Sequence, residues 1–164
     1  MDYRVRVERN KLKFAAAHMA TFAGQMEPLH GHNYAVTIEV SGPLTDDAWV
    51  CDFSTLKSLG KALCDELDHK FLLQFDSRVL EIDEGMSNYK VRFGERGFVF
   101  PKSDVLPLPI DNTTAERIAE YFAGRLKAGL NALGATNIAA ITVGIEEAPG
   151  QSGWAMERIG SGPA

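Results

Sequence analysis

Two stretches near the start of the chain alternate between apolar and polar positions. The first, over residues 3–18, has its apolar positions at Tyr3, Val5 and Val7 and then at Leu12, Phe14 and Ala16. The second, over about 32–41, has them at Tyr34, Val36, Ile38 and Val40. A period of two is typical of strands with one buried face. The pattern therefore predicts two strands, the first bent or split in two, separated by a loop over 19–29 and ended by Gly42-Pro43.

Two other stretches have the period of an amphipathic helix. Apolar residues recur every three or four positions, in the first stretch at Leu56, Leu59, Leu63 and Leu67, and in the second at Ile118, Phe122, Leu126, Leu130 and Leu133. Ser54-Thr55 is suited to cap the first helix, which we expect to end near Leu67-Asp68. Thr113-Thr114-Ala115-Glu116 matches a capping box with Thr113 as N-cap, and Gly134 is a suitable stop for this second helix.

The remaining segments complete an α+β pattern. Residues 89–100 alternate around a Gly94–Gly97 turn and predict a hairpin, whereas 70–88 shows no regular pattern. The prolines between 101 and 109 exclude regular structure there except at a sheet edge. Ile141, Val143 and Ile145 predict a further strand, whose pairing Trp154 and Met156 extend. We expect one domain over 1–164, with a four-stranded antiparallel sheet and two helices on one face.

Composition narrows the class of protein. The chain has 164 residues, 45% of them hydrophobic and 24% charged, with a formal net charge of -5, which argues against nucleic acid as a partner. Its first residues are a charged alternation rather than a signal peptide, and no stretch is apolar enough for a membrane span. Two cysteines, Cys51 and Cys64, are too few for a disulfide framework and favour a cytoplasmic protein.

The histidines are the first candidate chemistry. Residues two apart on a strand point to the same side, so His30 and His32 are presented together. If the first two strands pair antiparallel, His18 at the end of one meets them at the start of the other. Three imidazoles with an open fourth position are typical of a catalytic zinc site. The alternative is that His-Gly-His is only a solvated strand start.

Candidate carboxylates flank the histidines. Glu27, three residues before His30, is placed to act as a general base on a hydroxyl coordinated to zinc, or is a surface glutamate. Glu146 and Glu147 point to opposite faces at a strand end, so one of them can face a pocket while the other is solvated.

Two further pairs have both a functional and a structural interpretation. In Asp68-His69 the carboxylate can raise the basicity of the imidazole for proton transfer. The structural alternative, which the sequence alone favours, is a helix end with His69 near the negative end of the dipole. Thr113 and Thr114 can be pocket residues or only a helix cap.

Six motifs in register resemble the 6-pyruvoyltetrahydropterin synthase family, which includes 6-carboxytetrahydropterin synthase of queuosine biosynthesis. They are Phe14-Ala15-Ala16-Ala17-His18, His30-Gly31-His32-Asn33-Tyr34, Asp52-Phe53, Leu67-Asp68-His69-Lys70, Asn112-Thr113-Thr114-Ala115-Glu116 and Glu147-Ala148-Pro149. The resemblance spans nearly the whole chain. It implies the tunnelling fold (T-fold), in which subunits join their sheets into a barrel, typically a hexamer of two trimers.

The resemblance also implies residue roles. The three clustered histidines would bind Zn²⁺, and Glu147 would anchor the pterin through two hydrogen bonds. Thr113 and Thr114 would complete the pterin pocket. Asp68 and His69 would form a relay that serves the proton-transfer group.

One departure from the family pattern bears on the reaction. The synthases have a catalytic cysteine a few residues before His-Gly-His, but residues 20–29 contain no cysteine. With Glu27 in this segment, the chain resembles a variant subgroup in which a glutamate replaces the cysteine. That subgroup is associated with cleavage of 7,8-dihydroneopterin triphosphate to 6-hydroxymethyl-7,8-dihydropterin, a folate precursor. We therefore expect a zinc-dependent lyase acting on a pterin triphosphate. The alternatives are a 6-carboxytetrahydropterin or 6-pyruvoyltetrahydropterin synthase, or a non-catalytic pterin- or metal-binding paralogue.

Overall fold

The computed structural model describes residues 3–159, so the two ends of the predicted domain, 1–2 and 160–164, lie outside the described residues. The strands are β1 (Tyr3–His18), β2 (Thr21–Phe22), β3 (Gln25–Met26), β4 (His30–Gly42), β5 (Lys70–Gln74), β6 (Glu81–Glu84), β7 (Asn88–Phe93), β8 (Arg96–Pro101), β9 (Val105–Leu108), β10 (Ala140–Ala148) and β11 (Gln151–Arg158). The helices are α1 (Phe53–Leu67) and α2 (Ala115–Ala132), and a 3-10 turn spans Lys102–Asp104.

The central sheet has six strands in the order β11-β10-β4-β1-β5-β9. The first four are antiparallel, whereas β5 pairs in parallel with both β1 and β9. The prediction of a four-stranded, purely antiparallel sheet is therefore wrong. Strand β5 was missed because Phe71, Leu72 and Leu73 are all buried, and a strand covered on both faces does not alternate. Strand β9 contains Pro107 and lies at the sheet edge, where a strand tolerates proline.

Two smaller sheets complete the structure. The predicted hairpin over 89–100 is present as β7 and β8, and β6 adds a third strand to it. The predicted loop over 19–29 contains the short hairpin of β2 and β3. Both small sheets contribute to one hydrophobic cluster, which contains Met26 of β3 and Tyr89 and Val91 of β7.

A bulge explains the bend predicted in the first strand. The pairing of β1 with β4 shifts register between Glu8 and Lys13, and Arg9 and Asn10 there have φ of 65° and 54°. The extra residues change which positions face the core, from Val7 before the bulge to Leu12 after it. Beyond the bulge the register is continuous and ends with His18 opposite His30.

Both helices pack on the sheet, and their apolar residues form one core with the inward residues of β1, β4 and β10. The predicted caps are each displaced. Asp52, not Ser54-Thr55, caps α1 by accepting a hydrogen bond from the Thr55 N–H at 2.7 Å. Thr114, not Thr113, caps α2. Within residues 3–159, neither helix combines the length and apolarity needed to cross a membrane.

Candidate metal centre and active-site cleft

Three imidazoles meet where β1 ends and β4 begins. The antiparallel register places His18 opposite His30, and His32 follows two residues along β4. The ring centroid of His18 lies 4.7 Å from that of His30 and 5.1 Å from that of His32, and the last two are 4.8 Å apart. One nitrogen from each ring falls in a group whose members all lie within 4.8 Å of one another. The predicted histidine cluster is therefore present in the fold.

Hydrogen bonds orient two of the rings for metal binding. His18 Nδ1 lies 2.9 Å from the Thr113 carbonyl oxygen, and His30 Nδ1 lies 2.7 Å from that of Pro28. Carbonyl oxygens only accept, so each ring donates from Nδ1 and carries a lone pair on Nε2. These two Nε2 atoms are only 3.2 Å apart. Two lone pairs at this distance repel unless a cation lies between them, so the donor set fits a metal ion.

Burial keeps His18 neutral. Its side chain is 2% exposed, and desolvation lowers its pKa from 6.5 to about 4. A metal ligand must be the neutral imidazole, so this residue does not need to lose a proton at neutral pH in order to bind. The buried ring of Tyr34 packs against His18 and His32, with centroid distances of 6.0 and 5.4 Å, and restricts both rings.

Glu27 approaches the histidines from the loop between β3 and β4. Its Oε2 lies 3.9 Å from His30 Nε2, and 45% of its side chain is exposed. Its backbone N–H donates to the Ala20 carbonyl at 3.0 Å, which fixes the start of the loop. The structure thus places this carboxylate beside the cluster, and its role as a general base stays a prediction.

Glu147, on β10, lines the same cleft as the histidines and Glu27. The pairing of β10 with β11 shifts register between Glu146 and Ala148, so Glu147 is the extra residue of a bulge. Its side chain is half-buried, and desolvation raises its pKa. The Glu146 carboxylate instead accepts a hydrogen bond from the Gly150 N–H at 3.4 Å. Glu147 lines the cleft and Glu146 does not, although both residues are half-buried.

A cleft of about 640 Å³ joins these groups. It is lined by the three histidines, by Glu27 and Glu147, by the first residues of α2 and by the β10–β11 turn. Thr114 and Glu116 belong to this lining. Gly153 of β11 allows the close contact with α2, because a Cβ at this position would lie 2.7 Å from the Ala115 Cβ.

Three predicted site residues do not line this cleft within one chain. Thr113 is fully buried; its carbonyl accepts from His18, and its hydroxyl donates to Gln74 Oε1 at 3.3 Å. Asp68 ends α1, where Oδ1 accepts from the Ala15 N–H at 2.8 Å. His69 is 83% exposed, with Nδ1 2.9 Å from Asp68 Oδ2, and lines a separate depression that His32 also borders.

Sequence reasoning also missed residues that support the site. The side-chain amide of Asn112 accepts from the Thr21 N–H and donates to the Thr21 carbonyl, which ties the loop after β1 to the segment before α2. Glu116 was considered as a capping residue and as part of a family motif, with no role in the cleft that it lines. Arg96 donates to the loop that carries Glu27. A polar residue that binds backbone far away in the chain has no periodic signal, so pattern analysis could not find these contacts.

The fold and the cleft define an α+β protein with three clustered histidines that could hold a metal ion, and with carboxylates beside them. The chain matches the family model described as 6-pyruvoyl tetrahydropterin synthase over residues 7–157, and it belongs to this family.

Among solved structures, the 6-pyruvoyl tetrahydropterin synthase of Plasmodium vivax superposes with a TM-score of 0.89 at 33% identity, covering 97% of this chain and 99% of that one. The Plasmodium falciparum protein gives 0.89 at 34% identity, covering 96% and 99%. Two further structures are variants of the P. vivax protein in which a glutamate described as a catalytic residue is replaced by alanine or by cysteine.

Among curated proteins, a Methanocaldococcus jannaschii protein named provisionally as a 6-carboxy-5,6,7,8-tetrahydropterin synthase is 36% identical over 141 residues, 85% of this chain and 86% of its own length. The Haemophilus influenzae 6-carboxy-5,6,7,8-tetrahydropterin synthase is 31% identical over 123 residues, 71% of this chain and 79% of its own. The relatives thus represent two named activities of one family.

Proposed function

We propose that the chain is a zinc-dependent pterin lyase that cleaves the side chain of 7,8-dihydroneopterin triphosphate to 6-hydroxymethyl-7,8-dihydropterin, in the folate branch. The observation that carries this proposal is the carboxylate of Glu27, 3.9 Å from His30 Nε2, in a loop without cysteine. The P. vivax protein, in which a glutamate is a catalytic residue, supports a catalytic glutamate in this chain.

The three histidines would hold the zinc ion, which would supply Lewis-acid polarisation of the substrate's side-chain oxygens. Glu27 would accept the proton of the C2′ hydroxyl as general base. The C1′–C2′ bond then breaks, C2′ becomes the aldehyde carbon of a triphosphate-bearing product, and the electron pair passes through C1′ and C6 to the pterin imine. Glu27 returns its proton to C1′, so no proton is gained or lost overall.

Glu147 would hold the pterin. Its carboxylate would accept two hydrogen bonds from the amino group and the adjacent ring N–H of the substrate, and hydrogen bonds are stronger in a half-buried site. Thr114, which lines the cleft, would add a hydroxyl contact. Thr113 would serve the pocket only through its backbone, because its buried carbonyl already orients His18.

Assembly would complete the site. Within residues 3–159, the outer edges of β11 and β9 pair with no other strand, and such edges suit pairing with neighbouring copies. A barrel built in this way, as a hexamer of two trimers, would let the exposed Asp68–His69 pair relay protons to a site that it does not line in its own chain.

Unpaired Cys51 and Cys64 agree with a reducing cytoplasm.

The second candidate is a 6-carboxytetrahydropterin synthase of the queuosine branch, which the M. jannaschii and H. influenzae relatives favour by name. Incubation of the zinc-loaded protein with 7,8-dihydroneopterin triphosphate, followed by mass spectrometry, separates the candidates. We expect 6-hydroxymethyl-7,8-dihydropterin. A 6-carboxy or 6-pyruvoyl product would contradict the lyase proposal, and bound zinc and pterin without any product would indicate the non-catalytic paralogue.

A further inference from the structure

Arg96, at the start of β8, is bound to the loop that carries Glu27. Its Nη1 donates to the Met26 carbonyl at 2.7 Å, and its Nη2 donates to the Glu27 carbonyl at 3.1 Å. The two carbonyls belong to consecutive residues, so one planar guanidinium spans them with two of its nitrogens. A lysine ammonium lacks this fixed fork.

An aromatic row holds the guanidinium in place. Arg96 Cζ lies 5.7 Å from the ring centroid of Phe98, which stacks on Phe100 at 5.9 Å. Phe100 stacks in turn on Phe71 of β5, with centroids 4.2 Å apart. Because β5 belongs to the central sheet, Arg96 is fixed relative to the strand that carries His18, its neighbour in that sheet. The arginine therefore links the loop to the framework of the histidine cluster.

Apart from the pairing of β3 with β2 and the burial of Met26 among Tyr89 and Val91, the loop has few other restraints. Strand β3 before it is only two residues long. The Glu27 N–H donates to Ala20, and the Pro28 carbonyl accepts from His30. Three consecutive carbonyls, of Met26, Glu27 and Pro28, are thus held by side chains, two of them by Arg96. Without Arg96, the segment before Pro28 would keep only the Glu27–Ala20 bond among these contacts.

We propose that Arg96 is a positioning residue that sets the place of the Glu27 carboxylate beside the histidine cluster. The proposal rests on the proposed function in one respect, since it takes Glu27 as the general base. The hydrogen bonds of Arg96 to the loop reach backbone carbonyls, and Arg96 does not line the cleft, so it acts on proton transfer through Glu27. Its loss would leave the histidines and Glu147 in place.

Replacement of Arg96 by Ala tests this role. A displaced catalytic group can lower the rate about 100-fold, so we expect kcat to fall roughly 10- to 100-fold, with KM within about twofold because pterin binding depends on Glu147. Zinc content should stay stoichiometric. Amide hydrogen exchange over 20–29 should become faster at Glu27. Arg96→Lys, which keeps the charge but not the fork, should give an intermediate kcat and also guards against a folding defect in the alanine variant.

Arg92→Ala is the matched control. Arg92 lies opposite Gly97 in the same small sheet and pairs with Glu81 on the surface, so its removal should change neither kcat nor exchange over 20–29. A folded Arg96→Ala protein with wild-type kcat and exchange would overturn the proposal, as would a loss of activity fully explained by lost zinc or a lost fold. Glu27→Gln measured alongside separates the two proposals. If Glu27→Gln is inactive and Arg96→Ala is fully active, only the positioning role fails; if Glu27→Gln is fully active, the general base fails.

Discussion

The two carboxylates that flank the histidine cluster are supported by different kinds of backbone. Glu147 is part of a bulge inside the sheet, where Glu146 pairs with Ala35 of β4 and Ala148 pairs with Gln151 of β11. Glu27 belongs to a loop outside the sheets, held by its backbone bond to Ala20 and by the hydrogen bonds of Arg96. The position of one carboxylate is therefore set by the fold itself, and that of the other by a few removable contacts.

The two sites also differ in exposure. Burial raises the pKa of Glu147, whereas 45% of the Glu27 side chain is exposed. A fixed, desolvated carboxylate suits recognition of a ligand with paired N–H donors. A more exposed carboxylate close to the histidines suits an exchange of protons with substrate. We therefore propose that Glu147 in the bulge binds the substrate and that Glu27 in the loop transfers the proton. The following predictions test these two roles.

The largest effect should come from the cluster between the two carboxylates. His32→Ala removes one of three candidate ligands, so zinc affinity should fall by more than about 100-fold, the upper range for loss of a residue that only supports a ligand. Activity should disappear with the metal. Zinc titration against a chromogenic chelator measures this. His69→Ala is the control for metal content alone, and it should bind zinc in the same ratio per chain as the wild type. Zinc binding by His32→Ala equal to that of the wild type would contradict the proposed metal site.

Replacement of Glu147 by Gln should act mainly on binding. The amide turns one acceptor into a donor that faces the substrate's own N–H groups, and loss of a hydrogen bond to a charged group is worth roughly 1.5–3 kcal/mol. We expect KM to rise about 10- to 100-fold, with kcat changed only a few-fold. Glu146→Gln is the matched control, because that carboxylate bonds the Gly150 N–H. Steady-state kinetics measures both constants. An unchanged KM with a strongly reduced kcat would contradict the assignment of substrate binding to Glu147.

The smallest effect should be on stability, at Asp68. Its bond from the Ala15 N–H holds its pKa below the ordinary value of 3.8. A carboxyl group whose pKa is lower in the folded than in the unfolded protein stabilises the fold at pH values above its unfolded-state pKa. This contribution is lost as the pH falls through the folded-state pKa. Since the side chain is 41% exposed, Asp68→Ala should destabilise the metal-free protein by only about 1 kcal/mol at pH 7.

Urea unfolding of the metal-free proteins measures this contribution. The difference between wild type and Asp68→Ala should shrink as the pH falls below about 4. Asp65→Ala, which removes a surface partner of Lys61, should have little effect at either pH. A difference that grows toward acid pH would show that the Ala15 bond is not its source.

Much of the site could be predicted because it lies on periodic elements. Alternation through Phe14, Ala16 and His18 placed the first ligand on the face it occupies, and the spacing of His30 and His32 placed the other two. The two helices were found from their apolar stripes. Their caps were missed by one or two residues, because Asp52, Ser54, Thr113 and Thr114 are all good capping residues and only the chain path selects among them.

The parts that could not be predicted depend on long-range contacts. Strand β5 is an uninterrupted apolar run, and β9 contains a proline, so neither has the alternation by which strands are recognised. The contact of Arg96 with Glu27 joins residues 69 positions apart. The bulge at Glu147 arises from the register between β10 and β11, which the sequence of either strand alone does not specify.

Turnover by Glu27→Gln at full zinc occupancy is the most direct test of the division between the two carboxylates. Glutamine keeps the size of the side chain but cannot accept the proton, and removal of a positioned general base typically lowers the rate by 10²- to 10⁴-fold. We expect kcat for 7,8-dihydroneopterin triphosphate to fall by about this factor, with zinc and pterin still bound as in the wild type. Wild-type turnover by the zinc-loaded variant would contradict the role of Glu27.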